Sequence, residues 1–159
     1  MKNLVEDALK AEVNIENLKL YLEKNDHNTL MWLALAYEYD SNDYEKEAEK
    51  AYQIVWERRL EGIPKEQFSS FYLSFGSTLR NNLKFEESCE ILKKGCDLFP
   101  KDAPLKGFYA LSLYSHGEYQ KASEQLLQAL TLDTASELSQ FEAFNWYVEH
   151  LKTHPVLAS

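Results

Sequence analysis

The sequence contains few of the residues that make turns, with five glycines and four prolines among 159 residues. A β-sandwich or barrel needs many tight turns, so this scarcity favours long helices. Cysteine is scarce as well, and the two cysteines, Cys89 and Cys96, fall on one predicted helix. Seven positions of helix span about 10 Å, which exceeds the Cα separation of about 7 Å that a disulfide tolerates. Two thiols without neighbouring histidines do not make a zinc site either.

Long hydrophobic runs and basic stripes are also missing. No stretch approaches the roughly 20 apolar residues that cross a bilayer, and the N-terminal residues are too acidic for a signal peptide. We therefore expect a cytoplasmic protein that has no membrane partner. The net charge is −9, and without a basic surface to neutralise phosphates we expect no nucleic-acid partner.

Signatures of catalysis are missing too. The chain has no GxGxxG, GxxxxGK[ST], HExxH or GxSxG motif, the common marks of phosphate-binding and hydrolytic sites. Only His150 and His154 have the helical spacing of metal ligands, and His154 directly precedes Pro155, where a helix should end. We therefore predict no catalytic residue, no cofactor and no bound metal.

The sequence does contain an internal repeat, which is the first feature to look for in a helical chain. Residues 72–100 align with residues 106–134 at a shift of 34, and an earlier segment that begins near Trp32 aligns at a shift of 40. Large residues match large ones and small match small, as stacked copies of one helical pair require. The pairs at the shift of 34 are Phe75–Tyr109, Gly76–Ala110, Leu79–Leu113, Phe85–Tyr119, Ser88–Ala122, Leu92–Leu126, Gly95–Ala129 and Leu98–Leu132.

At these residues the chain resembles the tetratricopeptide repeat family, whose 34-residue pattern is W-x2-L-G-x2-Y, then Ala, x3, Phe and a closing Pro. The best-matching residues are Trp32, Leu35, Ala36, Tyr39, Ala48, Tyr52, Gly76, Leu92, Pro100, Ala110, Ala122, Leu126 and Ala129. Two departures are Ser88 at the small second-helix position and Thr134 at the closing proline. The resemblance implies an all-α, right-handed solenoid of about three helix-turn-helix repeats.

The predicted organisation is one domain over residues 1–159. Repeats 1, 2 and 3 cover residues 29–62, 69–102 and 103–136, with six extra residues around Gly62 and Pro64. Apolar spacing predicts an N-terminal helical cap over residues 3–24, which is either one helix or two if Asn14 caps a second. A C-terminal capping helix is expected over residues 137–153, with Phe141 and Phe144 covering repeat 3.

In tetratricopeptide proteins the first helices line a concave groove that binds peptides, so the resemblance implies a partner-binding groove here. We expect it to display Leu33, Tyr37, Asp40, Leu73, Ser77, Arg80, Asn81, Leu111 and Tyr114. Arg80 and Asn81 are the polar donors that could orient a peptide carboxylate or carbonyl. Trp146 falls on the polar face of the last predicted helix, which marks it as a possible second interface.

The preferred interpretation is a scaffold or adaptor whose groove binds a protein or peptide partner. One alternative is a self-associating module, a homo-oligomer that stacks end to end or pairs through Trp146. Another is a regulatory or ligand-binding subunit of an enzyme, which a buried pocket above about 300 Å³ with convergent polar groups would favour.

Overall fold

The computed structural model of the protein describes residues 14–132, 137–145 and 149. Across these ranges the regular structure is helical and contains no strand, as the sequence predicted. The α-helices are α1 (Ile15–Leu22), α2 (Thr29–Ser41), α3 (Glu45–Glu57), α4 (Phe68–Asn81), α5 (Phe85–Leu98), α6 (Ala103–Ser115) and α7 (Tyr119–Leu132). Short 3₁₀ segments occupy Lys65–Gln67 and Glu137–Gln140.

The helices form three successive pairs, α2 with α3, α4 with α5 and α6 with α7. Each pair also packs on the next one, because α4 contacts both α3 and α2, and α6 contacts both α5 and α4. The chain is therefore an all-α solenoid of helix-turn-helix repeats, in which each pair buries its apolar face against its neighbours.

The turn inside each pair has the same geometry in all three copies. Asp43, Leu83 and Gly117 occupy equivalent positions, and their φ angles are 60°, 64° and 86°. Only glycine adopts a positive φ without steric strain. The backbone is therefore locally strained at Asp43 and Leu83, in the first two repeats. The following helix then begins two residues later, at Glu45, Phe85 and Tyr119.

Side-chain caps explain where several helices begin. The Asn14 side chain accepts a hydrogen bond from the Asn17 backbone N–H at 2.9 Å, and Asn28 accepts one from Met31 at 3.2 Å. Each cap satisfies one of the backbone donors that the first helical turn leaves unpaired. Helix α1 therefore starts at Ile15, and residues 3–13 of the predicted N-terminal cap lie outside the described residues.

The extra residues between repeats 1 and 2 form a loop that buries two apolar side chains. Helix α3 ends at Glu57, so Gly62 does not cap it directly but turns the loop at a φ of 80°. Leu60 and Ile63 are 5% and 7% exposed and join the main core. Burial of these two side chains holds the loop against the solenoid.

Glycine permits the closest helix approaches. A Cβ atom on Gly76 of α4 would lie 2.3 Å from Leu92 Cγ of α5, and one on Gly95 would lie 2.8 Å from Tyr72 Cβ. Real carbon atoms do not approach so closely, so these positions require the smallest residue. A Cβ on Gly95 would also lie 3.1 Å from Leu105 Cδ2 of α6. The size alternation seen in the sequence thus corresponds to packing within and between repeats.

Ser88 shows what replaces the small apolar residue of the family pattern. Its hydroxyl donates to the Gly76 carbonyl oxygen at 2.6 Å and lies 2.8 Å from the Ser112 hydroxyl. Both serines are fully buried, so their polar groups need these partners. The pair links α4, α5 and α6 at one point.

The C-terminal segment differs from a continuous helix over residues 137–153. It begins as a 3₁₀ turn, with Phe141 N–H bonded to the Leu138 carbonyl at 3.1 Å and Phe144 N–H bonded to the Phe141 carbonyl at 3.1 Å. Side chains three residues apart align in such turns, which directs Leu138, Phe141 and Phe144 together towards α6. A Cβ on Gly107 would lie 2.5 Å from the Phe144 ring.

We expect Ala122→Leu to lower the free energy of unfolding by about 1–3 kcal/mol, the usual cost of overpacking a core. Ala122 is 6% exposed on α7, which packs against α6. Urea denaturation followed by circular dichroism measures the change. The exposed neighbour Ser123 provides the control, since Ser123→Leu should alter stability by less than about 0.5 kcal/mol. Equal midpoints for the two variants would show that the repeat alignment is out of register.

We expect the hydroxyls of Ser88 and Ser112 to be energetically coupled. Ser88→Ala and Ser112→Ala should each destabilise the protein by about 1 kcal/mol, because each strands a buried polar partner. The double variant should lose less than the sum of the two, with a coupling of about 0.5 kcal/mol or more. Strict additivity of the denaturation energies would contradict the hydrogen bond.

Candidate protein-binding groove

The first helices of the three repeats, α2, α4 and α6, lie side by side. They carry all nine residues that the sequence predicted for a groove. The structure divides these nine into buried core residues, a polar cluster, the lining of one open pocket, and two residues at the margins. Trp146, the predicted second interface, lies outside the described residues.

Leu33 and Leu111 belong to the interior and are 0% and 6% exposed. Leu33 packs in the main core together with Phe71 and Phe75 of the next first helix. Neither leucine therefore belongs to the partner-binding surface, contrary to the prediction from the sequence. The burial of Leu33 comes from the neighbouring repeat, which the pattern of a single helix does not reveal.

Three predicted groove residues, Ser77, Arg80 and Asn81, line a single open pocket of about 580 Å³. The pocket is also lined by Phe108 and Ser115 of α6, by Leu83 and Phe85 at the turn between α4 and α5, and by residues 141–143. Phe108 contacts Phe141 edge to face, with ring centroids 5.1 Å apart. The pocket therefore combines an aromatic wall with polar groups from α4.

A polar cluster lies beside this pocket, where α2, α3 and α4 meet. The Tyr52 hydroxyl donates to Asp40 Oδ2 at 3.0 Å, and the Asn81 amide donates to Glu45 Oε1 at 2.7 Å. Burial is the main cause that raises the pKa of the Asp40 carboxyl and also that of Glu45. The groove thus holds two carboxyl groups partly out of water, which costs free energy in the charged form.

Tyr37 takes part in the same cluster. Its ring packs edge to face on Tyr52, with centroids 5.9 Å apart, and burial raises its pKa to about 12. The Tyr37 hydroxyl is buried and has no hydrogen-bond partner within the described part of the chain. Because this ring also packs on the core, it is a structural as well as a surface residue.

The remaining predicted residues lie at the margins. Leu73 is half-buried and packs against the main core. Tyr114 contacts Tyr119 at a centroid distance of 5.2 Å, beside the turn that joins α6 to α7. Neither lines the open pocket.

Sequence reasoning missed several contributors to this region, among them Glu45, Phe108, Phe141 and Ser115. Glu45 starts a second helix, so the rule that first helices line the groove excluded it. Phe108 and Ser115 lie on α6, on the side of the repeat that faces the C-terminal segment. Phe141 was assigned only a capping role, although the same ring also forms part of the pocket.

A second open pocket of about 620 Å³ lies between α1, α2 and α3, with Trp32, Leu35, Tyr39 and Ile54 among its lining residues. It is an open cleft at the start of the solenoid and not an enclosed cavity, and its lining also includes the charged residues Lys19, Glu23, Asp26, Glu47 and Lys50. In residues 14–132, 137–145 and 149 no group of three histidine, cysteine or acidic side chains is arranged to hold a metal ion. Within the same residues no helix is long and apolar enough to span a membrane.

This geometry defines a class of protein, the short helix-turn-helix solenoid with an open groove along its first helices. No family model matches the chain, and no curated protein matches its sequence. Solved structures do match. MamA from AMB-1 aligns with a TM-score of 0.66 and 21% identity over 75% of this chain and 67% of that chain.

A second AMB-1 structure of MamA gives a TM-score of 0.68 and 20% identity, covering 79% of this chain and 72% of that chain. MamA from MSR-1 gives 0.66 and 20%, with coverage of 77% and 67%. At such identities the likeness concerns the fold alone. It supports the tetratricopeptide-like architecture and leaves partners to be argued from this chain's own residues.

We expect Asp40→Asn to stabilise the protein at neutral pH. The pKa of Asp40 is higher in the folded than in the unfolded protein. The free energy of unfolding of wild type therefore decreases as pH rises and the Asp40 carboxyl ionises. Asparagine keeps an acceptor for Tyr52 and removes the buried charge. Urea midpoints should therefore be higher for the variant at pH 7 and converge with wild type near about pH 3. A lower midpoint at pH 7 would show that the charged hydrogen bond outweighs burial.

Proposed function

We propose that this protein is a non-catalytic, cytoplasmic scaffold or adaptor that binds a segment of a partner protein in the groove beside α4. The observation that carries the proposal is the open pocket of about 580 Å³, in which Arg80, Asn81 and Ser77 face an aromatic wall. A pocket of this size accommodates one or two side chains of a peptide.

The apolar half of the pocket suits an anchoring side chain. Phe108 and Phe141 offer aromatic surface, and Leu83, which also lines the pocket, is 75% exposed. Anchors that enter such pockets usually supply most of the binding free energy, at about 2 kcal/mol or more each. We therefore expect the partner segment to present a large aliphatic or aromatic residue.

The polar half suits recognition of the peptide backbone or a carboxylate. Arg80 Nη2 donates to Asn81 Oδ1 at 3.4 Å, and Asn81 in turn donates to Glu45. This chain of contacts positions the guanidinium at the pocket wall. A guanidinium has donors enough to keep such a contact and still bind a partner oxygen.

The cost of holding Asp40 and Glu45 partly buried also supports a functional role for this face. Asn in place of Asp40 would still offer Tyr52 an acceptor, so that hydrogen bond alone does not account for a carboxylate here. Ionisable groups with perturbed pKa values concentrate at functional sites.

A displayed library of random peptides, selected against the full chain, tests the proposal. We expect selected peptides to contain an apolar anchor and to bind Ser77→Arg and Arg80→Ala at least about tenfold more weakly than wild type. Ser77→Arg fills the pocket, and Arg80→Ala removes its positive charge. Fluorescence anisotropy with a labelled selected peptide measures the affinities.

Two variants provide matched controls. Lys101→Ala removes one positive charge from the exposed turn between α5 and α6, and Gln53→Arg adds an arginine on an exposed position of α3. Both should bind the peptide like wild type. Peptides that bind Ser77→Arg and wild type equally would place the partner site outside this groove.

A further inference from the structure

The turn between α4 and α5 holds a leucine in a backbone conformation that leucine rarely adopts. Leu83 has a φ of 64°, and a bulky side chain at such an angle crowds its own backbone. The matching positions of repeats 1 and 3 are Asp43 and Gly117, with φ angles of 60° and 86°. Glycine adopts this conformation freely and aspartate tolerates it. The turn itself therefore does not require a leucine.

Burial does not compensate for the strain at Leu83. Leu60 also has a positive φ, but it is 5% exposed and packs in the main core. Leu83 is 75% exposed, so its side chain gains little from packing against the described part of the chain. Strained residues that the surrounding packing does not explain are concentrated at functional sites.

Hydrogen bonds to the preceding repeat hold this turn in place. The Asn82 amide donates to the Glu45 backbone carbonyl oxygen at 3.0 Å and to Glu49 Oε2 at 2.7 Å. The Lys84 ammonium group donates to Glu49 Oε1 at 2.6 Å. Both residues that flank Leu83 are therefore attached to α3. Strained backbone persists where its surroundings determine it in this way, and the leucine is presented in a fixed position.

Leu83 lines the open pocket of about 580 Å³ that supports the proposed function. The same pocket is lined by the rings of Phe85, Phe108 and Phe141. Because the pocket is open, a side chain that enters it would cover part of the Leu83 surface that faces water in the free protein. Covering apolar surface favours binding. A turn that is already fixed before the partner arrives also loses little conformational freedom on binding.

We propose that Leu83 is a specificity-determining residue of the groove, which packs on the anchor side chain of the partner segment and selects apolar anchors over polar ones. The inference rests on the proposed function, because Leu83 selects an anchor only if the groove binds one. On this reading the strained leucine is retained for recognition, at the expense of the stability that Asp43 or Gly117 provides in the other repeats.

Substitutions of Leu83 separate recognition from stability. Leu83→Asn removes the apolar side chain and introduces a residue that tolerates a positive φ. We expect this variant to bind a peptide selected against wild type at least about fivefold more weakly. Its melting temperature should equal that of wild type or exceed it by up to about 4 °C. Leu83→Met keeps an apolar side chain of similar size and should retain the wild-type affinity within about twofold.

Gly117→Leu is the matched control. It places a strained leucine at the equivalent turn of repeat 3, where a Cβ atom would meet no other atom within 4 Å. Gly117 does not line the pocket. The control should therefore lower the melting temperature by about 2–4 °C and leave peptide affinity unchanged. Fluorescence anisotropy measures the affinities, and calorimetry measures the melting temperatures.

A peptide variant tests whether Leu83 contacts the anchor directly. Replacing the anchor of the selected peptide by glutamine should weaken binding to wild type at least about threefold more than it weakens binding to Leu83→Asn. A residue that supports only the shape of the groove would lose the same factor with both peptides. Equal losses would therefore overturn the proposal.

The remaining outcomes distinguish this inference from the proposed function. A selected peptide that fails to bind Ser77→Arg but binds Leu83→Asn as tightly as wild type would overturn the role of Leu83 and leave the groove intact. A lowered melting temperature of Leu83→Asn would show that the leucine supports the fold, which also overturns the inference. A wild type that selects no peptide would overturn the proposed function and this inference together.

Discussion

Close helix approach at small residues is the constraint on which the rest of this solenoid depends. Gly76 lies against Leu92, Gly95 lies against Tyr72, and neither position has room for a Cβ atom. These contacts fix how the helices of one pair sit together, and Gly95 also lies against Leu105 of the next pair. Because the same small-against-large arrangement recurs, the first helices end up side by side and can form one continuous face.

That face is shaped by what packs against it. Leu33 and part of Tyr37 on this face are buried in the main core. Phe141 of the C-terminal segment contributes to the face instead. What stays accessible is one pocket with an aromatic wall, flanked by carboxyl groups that are partly withdrawn from water. The recognition surface is thus the part of the first-helix face that neighbouring repeats leave uncovered.

The C-terminal segment shows how far the repeat pattern predicts structure beyond the last repeat. Periodicity indicated that repeat 3 needs a cap, and Phe141 and Phe144 do pack on Phe108. It did not indicate that the segment would start as a 3₁₀ turn or sit on α6. Those outcomes depend on the space that Gly107 leaves, which is a property of the packed structure.

The sequence by itself determined the helical class, the three helix pairs and the small residues at their crossings. All of these follow from local spacing and from the requirement that identical units stack. Only the tertiary structure decided that Leu33 and Leu111 are interior, that Glu45 on a second helix joins Asn81, and that Leu83 is exposed. The physical reason is that burial and charge pairing depend on side chains brought from distant repeats. A spacing rule applied to one helix identifies which face a residue occupies but not what lies opposite that face.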